Sequence, residues 1–146
     1  MPDGNTRSAI HVDPFPLTMN AGLVGLTEIY IPERARALNA RGDRLRERLN
    51  AVVRRHGLAM QFTGLGSMIG VHMTDRPIRS AADAATGNAG LLDLFYFDLV
   101  ARGIWFAKRG MMALSIALDE ADADKLVAAV EEFADTRAPL FTGDPS

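Results

Sequence analysis

The stretch AMQFTGLGSMIGVHM, residues 59–73, decides the fold, because within it the apolar period falls to two. Ile69, Val71 and Met73 stand at alternate positions, so they would share one face of a β-strand. Gly64-Leu65-Gly66 supplies residue types that favour a turn. The stretch therefore predicts a hairpin of two short strands with one buried face.

Two helices are predicted on the N-terminal side of this hairpin. The first runs over residues 17–30, where apolar residues return at helical spacing. Pro32 ends it and suits the first turn of a second, longer helix, which Gly57 would stop in a left-handed conformation. Residues 1–16 are rich in Pro, Asp, Gly and Asn and predict an irregular arm.

The C-terminal side begins with a loop over residues 74–90 and a third helix over residues 91–102, which ends at Gly103. That helix is apolar over most of its circumference, and the first helix has a similar excess. One small sheet cannot cover both, so the excess indicates a partner surface. The alternative is that both helices lie deep between the sheet and neighbouring helices.

Two further strands and a helix complete the chain. Residues 104–107 and 112–116 read as strands joined by a tight turn at Lys108-Arg109-Gly110. Asp119 would cap a last helix, and residues 139–146 are expected to form a flexible tail.

The order of elements is two helices, a hairpin, a helix, two strands and a helix. This order predicts an α+β fold in two layers, a small, mainly antiparallel sheet with helices packed on one side. With 146 residues, of which 48% are hydrophobic, the chain can bury one core. The domain is expected to span residues 17–138.

Charge and composition exclude several classes of function. A net charge of -2 and a pI near 5.9 build no basic field, which argues against nucleic-acid binding. The apolar stretch over residues 91–106 is interrupted by Asp93, Asp98 and Arg102, so no membrane span is expected. The chain has no cysteine, which fits a reducing compartment, and the cytoplasm is the expected location.

Several segments resemble one known family in the same order along the chain. LTMNAGL, residues 17–23, is similar to the PLTMAAGL segment of class III aminotransferases and glutamate-1-semialdehyde aminomutases. LNARGDRLRERLN, residues 38–50, resembles the long helix that follows there, and residues 62–73 resemble the first strands of the small domain. Residues 101–133 resemble the closing strand, strand and helix. The resemblance covers roughly residues 11–136.

The resemblance implies the C-terminal small domain of a fold type I enzyme, which uses pyridoxal phosphate and helps to form a substrate cleft and a homodimer. It also implies that the Schiff-base lysine lies upstream of these segments. Lys108 and Lys125 are the lysines of this chain, and neither is expected to lie in a desolvated pocket suited to imine chemistry. No catalytic residue is assigned, and the chain alone is expected to be inactive and not to bind pyridoxal phosphate.

Three residues are site candidates by resemblance. His11 lies where the family has a threonine that reaches the cofactor phosphate, so it is a candidate phosphate contact, or else an ordinary arm histidine. Arg109 lies in the turn that matches the family's cleft-facing turn. Its guanidinium could bind a substrate carboxylate, or it could be a solvated turn residue. Ser115 matches a family serine, although a serine there usually packs or makes a local hydrogen bond.

A metal site is not predicted. His11, His56 and His72 lie far apart in sequence and have no acidic residue at helical spacing. Asp93 and Asp98 are both carboxylates on an apolar helix, but a separation of five residues places them about 140° apart. They are therefore not expected to act as one acid/base pair.

Two hypotheses of function remain. The first is part of a transaminase or aminomutase that transfers amino groups on amino and keto acids, and that is incomplete without a lysine-bearing large domain. The second is a non-catalytic dimerisation or docking module derived from that domain. The expected partners are accordingly a second copy of the chain or a large-domain-bearing relative.

Overall fold

The computed structural model describes residues 16–141, and the chain divides into two units, Met1–Ala35 and Arg36–Ser146. The α-helices are α1 Pro16–Val24, α2 Pro32–Arg55, α3 Ala81–Ala84, α4 Ala89–Ala101 and α5 Glu120–Arg137. The strands are β1 Gln61–Leu65, β2 Met68–His72 and β3 Met111–Ala113. Across the described part of the chain, no helix is both long and apolar enough to cross a bilayer.

The first unit contains the predicted first helix. It forms α1 and continues as a π-helical stretch, Gly25–Ile29, so the expected helix over residues 17–30 is confirmed with a change of winding at its end. Its large apolar side chains are exposed; Leu17 and Leu26 each retain 73% of their accessible surface. This unit therefore presents an uncovered apolar surface, as the excess of apolar residues indicated.

The second unit is built on an antiparallel sheet of order β1-β2-β3. Its hairpin is confirmed, with Gln61 opposite His72. The turn was predicted at Gly64-Leu65-Gly66, but Gly64 and Leu65 still pair within the hairpin and the turn falls at Gly66-Ser67, so the prediction is right for Gly66 alone. Gly66 makes the tight turn possible because its φ of +56° lies in the left-handed region.

One face of this sheet is buried and the other is open. Burial alternates along each strand, so that Phe62, Ile69, Val71 and Met112 point into the core. Residues of α2, α4 and α5 pack in the same core. The two-layer α+β prediction is confirmed, with the helices on one side.

Phe95 lies at the centre of the aromatic core and is fully buried. Its ring centroid is 6.3 Å from that of Phe62, 5.8 Å from that of Phe106 and 5.0 Å from that of Phe133. The first and last of these contacts are edge-on, the arrangement that aromatic rings prefer. One side chain of α4 thereby joins β1, the segment before β3 and α5.

Three arginines of α2, seven residues apart, face acidic residues of α5. The pairs are Arg41–Glu120, Arg48–Asp124 and Arg55–Glu131. They follow the same order along both helices, so the two helices run in the same direction. α5 begins at the predicted cap: Asp119 accepts a hydrogen bond from the Asp122 amide and returns one to its side chain.

The predicted strand over residues 104–107 is wrong. This segment makes one isolated bridge, between Ala107 and Met111, and does not join the sheet as a fourth strand. The predicted strand over residues 112–116 is shortened to β3, because the Ser115 hydroxyl accepts a hydrogen bond from the Ala117 amide and turns the chain toward α5. Residues 138–141, at the start of the expected tail, form a 3₁₀ turn.

The hairpin end rests on α2. Asp43 accepts a hydrogen bond from the Gly66 amide at 3.1 Å, and Asn39 accepts one from the Ser67 amide at 3.1 Å. Gly42 lies between them, and a Cβ atom on it would come 2.0 Å from the Gly66 carbonyl oxygen. The absence of a side chain at this position therefore allows the hairpin to contact the helix.

We expect Gly42→Ala to destabilise the second unit. Alanine favours a helix over glycine by about 1 kcal/mol, but the backbone clash should outweigh this gain and lower the free energy of unfolding by roughly 1–3 kcal/mol. Urea unfolding followed by circular dichroism measures the change. Gly22→Ala is the matched control, since nothing lies within 4 Å of a Cβ there. An unchanged or higher midpoint for Gly42→Ala would contradict the proposed contact.

Candidate functional site

The turn at Lys108-Arg109-Gly110 is held by backbone hydrogen bonds on both sides. The Gly110 amide donates to the Ala107 carbonyl at 2.8 Å, and the Gly110 carbonyl accepts from the Val71 amide at 2.7 Å. Gly110 has a φ of +87°, and a Cβ atom on it would come 2.7 Å from the Val71 carbonyl oxygen. The turn is therefore tied to β2 in one orientation.

Lys108 is exposed and paired. Its ammonium lies 3.3 Å from Asp93 Oδ1 and 5.4 Å from the centroid of the Phe97 ring. Both contacts come from α4, so they connect the turn to that helix. An exposed, paired ammonium is poorly suited to imine chemistry.

Arg109 projects from the same turn and is exposed. Within residues 16–141 its guanidinium makes one contact, 3.9 Å to the sulfur of Met111. Arg102 and Arg137, by contrast, each bind a carboxylate. The Arg109 guanidinium is thus available to bind an anion bidentately.

The other predicted site residues are dispersed. His11 lies outside the described residues. Ser115 makes the local hydrogen bond to Ala117 described above, in line with the usual role of a serine there. Asp98 pairs with Arg137 at 3.0 Å, on another side of α4 from Asp93, so the two aspartates do not form an acid/base pair.

His56 is part of a cluster that the sequence analysis missed. Its Nε2 lies 2.7 Å from Glu131 Oε1 and its Nδ1 lies 3.5 Å from Asp135 Oδ1. The separation along the chain from Glu131 is 75 residues, so no local spacing could have signalled it. These three side chains have the chemistry of metal ligands, but the two carboxylates already lie at opposite nitrogens of one imidazole. The arrangement joins α2 to α5.

Hydrogen bonds from His56 and Arg55 lower the pKa of Glu131 below its ordinary value of 4.5. A lowered carboxyl pKa in the folded state stabilises the fold above the unfolded pKa, and this contribution is lost as the pH falls through the folded pKa. The stabilisation is therefore present at neutral pH.

We expect Glu131→Gln to lower the melting temperature at pH 7 by a few degrees, and the difference from the unsubstituted chain to shrink as the pH falls below 4.5. Thermal unfolding at several pH values measures it. Glu47→Gln is the control, because Glu47 is exposed and makes no ion pair within residues 16–141. An equal loss at every pH would show that the effect is not electrostatic.

His72 and Thr63 lie on the open face of the sheet. Thr63 Oγ1 is 2.9 Å from His72 Nε2, and burial lowers the pKa of the imidazole below its usual 6.5. The neutral ring fits its half-buried position. The hydrogen bond to Thr63 on the neighbouring strand explains the position of His72, and no ligand is needed for that explanation.

Comparison with known proteins identifies the class. The fold superposes on the crystal structure of a β-phenylalanine aminotransferase from Variovorax paradoxus with a TM-score of 0.82 and 42% identity, over 85% of this chain and 29% of that one. An ω-transaminase from Sphaerobacter thermophilus matches with a TM-score of 0.70 and 26% identity, over 85% of this chain and 28% of that one. The fold is thus that of the C-terminal part of a transaminase.

Curated sequences give the family. The β-phenylalanine transaminase of Variovorax paradoxus is 44% identical over 80% of this chain, and a glutamate-1-semialdehyde 2,1-aminomutase of Desulfosudis oleivorans is 31% identical over 83%. No family model matches the chain. The chain belongs to the class III aminotransferases, and it spans 27–28% of the length of these two relatives.

Pyridoxal phosphate is the cofactor of this family, and residues 16–141 do not fit it as a complete site. Both Lys108 and Lys125 are exposed, so no lysine within residues 16–141 is enclosed as the imine-forming amine must be. In the same residues, every buried side-chain nitrogen or oxygen has a hydrogen-bond partner. No chemical step on the cofactor is therefore assigned to these residues.

Proposed function

We propose that this chain forms the small-domain wall of the substrate cleft in a class III aminotransferase or aminomutase that transfers amino groups on amino and keto acids. In this proposal Arg109 binds the carboxylate of the substrate. The observation that carries it is an exposed guanidinium with no carboxylate partner among residues 16–141, placed on a turn whose backbone is tied to the sheet.

The chemistry of the relatives supports this role. Two of them are named for β-phenylalanine and glutamate-1-semialdehyde, and both of these molecules carry a carboxylate. A guanidinium can bind a carboxylate through two parallel hydrogen bonds, and such a contact orients as well as holds it. Lys108 beside it adds positive charge at the same turn, although that charge is shared with Asp93.

The proposal divides the work between two parts of an enzyme. This chain binds and orients the substrate and helps to exclude water, whereas a large domain supplies the lysine and the cofactor site. The chain spans less than a third of the relatives' length, which leaves room for such a domain in them. By itself the chain is inactive and does not hold pyridoxal phosphate.

The partner in this proposal is a large domain, in a homodimer of the cytoplasm. Exposed apolar side chains occur on α1, such as Leu23, and separately on α4, such as Phe97, and each set supports contact with a partner. The docking-module alternative has no support among the relatives named above, which are transaminases and aminomutases.

We expect the chain mixed with pyridoxal phosphate to give no internal-aldimine absorbance and no specific adduct after borohydride reduction, since neither lysine is enclosed. Absorbance spectra and intact mass measure this. Lys108→Gln and Lys125→Gln are the controls, because a weak surface adduct should be shared between them. A stoichiometric adduct abolished by one of the two substitutions would overturn the proposal.

A chimera tests the role of Arg109. This chain would replace the matching C-terminal part of the Variovorax paradoxus β-phenylalanine transaminase. We expect an active chimera in which Arg109→Gln raises the KM for β-phenylalanine about tenfold or more, while kcat changes less, because the lost contact binds the carboxylate.

Two comparisons sharpen this test. Arg109→Lys should recover part of the affinity, since a single ammonium keeps the charge without the bidentate geometry. Arg54→Gln, which removes an exposed arginine of α2, should leave KM unchanged. An active chimera whose KM does not respond to Arg109→Gln would refute the assigned contact, and a folded chimera without transamination would refute the assignment as a cleft wall.

A further inference from the structure

A cavity of about 440 Å³ lies in the second unit, between the 104–107 segment, β3 and the start of α5. We propose that it binds a small molecule with an apolar body and one carboxylate. This inference does not depend on the transaminase proposal, because the turn with Arg109 contributes no residue from 108 to 110 to the cavity wall.

The cavity lies where the predicted fourth strand does not form. Gly103 has a φ of +74° and redirects the chain after α4, and the following segment returns to β3 through the single Ala107–Met111 bridge. Residues 104–106 therefore run beside β3 without pairing to it.

The floor of the cavity is apolar. Its wall includes core residues of α2, the sheet, the 104–107 segment and α5, namely Leu45, Ile69, Phe106, Met112 and Ala123. Protein interiors are normally close-packed, and water needs several polar partners to be held in a cavity. A space of this size with such a floor is suited to an apolar molecule, and its volume lies within the usual range of ligand pockets, about 300–1,000 Å³.

Three charged side chains at the cavity, Arg41, Asp119 and Asp122, are engaged in contacts within the protein. The Arg41 guanidinium donates to the Leu118 carbonyl and lies 4.0 Å from Glu120. Asp119 and Asp122 each accept a hydrogen bond from the other's backbone amide, at 3.1 and 3.0 Å, in the cap of α5. These contacts fix the three side chains in place, and the two aspartates, as carboxylates, can only accept further hydrogen bonds, so neither of them can bind an anion.

Lys125 is the exception. Its ammonium has no carboxylate within 4 Å among residues 16–141, and it lies at the cavity edge, 3.5 Å from where a Cβ atom on Gly103 would be. An unpaired ammonium beside an apolar floor favours a ligand with an anionic end and an apolar body. The ammonium favours a ligand with a carboxylate, and the apolar floor favours a ligand whose remaining atoms are apolar.

Trp105 makes this inference measurable. It is the one tryptophan of the sequence, it lines the cavity, and 79% of its surface is exposed. A ligand that enters the cavity should bring apolar atoms against the indole and shift its fluorescence to shorter wavelength. The same ligand should raise the melting temperature, because it binds the folded chain only.

The experiment titrates the 146-residue chain with octanoate and, separately, with octanamide, which has the same apolar body without the charge. We expect octanoate to shift the tryptophan emission to shorter wavelength in a saturable way. The affinity for octanamide should be at least about tenfold lower, as the loss of a charge-assisted contact implies. Lys125→Gln should bring the octanoate affinity down to that of octanamide. Lys108→Gln, the matched control at the other lysine, should leave it unchanged.

Several results would overturn the proposal. If neither the fluorescence nor the melting temperature changes in a saturable way, the cavity is not a binding site. If octanoate and octanamide bind with equal affinity, the Lys125 ammonium does not contribute to binding. A loss of octanoate binding in Lys108→Gln but not in Lys125→Gln would place the anion elsewhere. Should Lys125→Gln fail to fold, the comparison of the two ligands on the unsubstituted chain still decides the question.

Discussion

The edge-on contacts of the Phe95 ring hold the second unit together. Phe95 is fully buried, and its neighbours Phe62, Phe106 and Phe133 belong to β1, the segment before β3 and α5. Burial of an aromatic ring and its preferred edge-on geometry together set the distance between the sheet and the two helices. The segment that leads to the candidate site contains Phe106 and is therefore anchored to Phe95.

The positions of the turn and the cavity follow from that packing. Phe106 is held against Phe95, and the chain between Gly103 and Gly110, which comes from α4, meets β3 through the Ala107–Met111 bridge. Where it returns, the turn is bonded to β2 and presents Arg109 to solvent. Where it leaves α4, it lines the cavity beside β3. One irregular segment thus creates both features.

Sequence patterns predicted the features that depend on neighbours in the chain. The period of two in residues 62–72, the glycine stop at Gly57 with a φ of +65° and the Asp119 cap all appear as expected, because each is a local preference of the backbone or of one face. The cluster around His56 could not be predicted, since its acidic partners come from a helix 75 residues away. The absent fourth strand could not be predicted either, because pairing depends on a neighbouring edge.

The sequence by itself determined that this is a class III aminotransferase-like small domain in two layers, because alternation, helical spacing and the motif from Leu17 to Leu23 are carried by consecutive residues. Only the tertiary structure decided that Arg109 has no carboxylate partner among residues 16–141, that Lys108 is paired with Asp93 and that a cavity opens beside Lys125. The reason is physical. A charge is paired, and a volume is filled, by groups that are near in space. The separation of two groups along the chain does not show whether they are near in space.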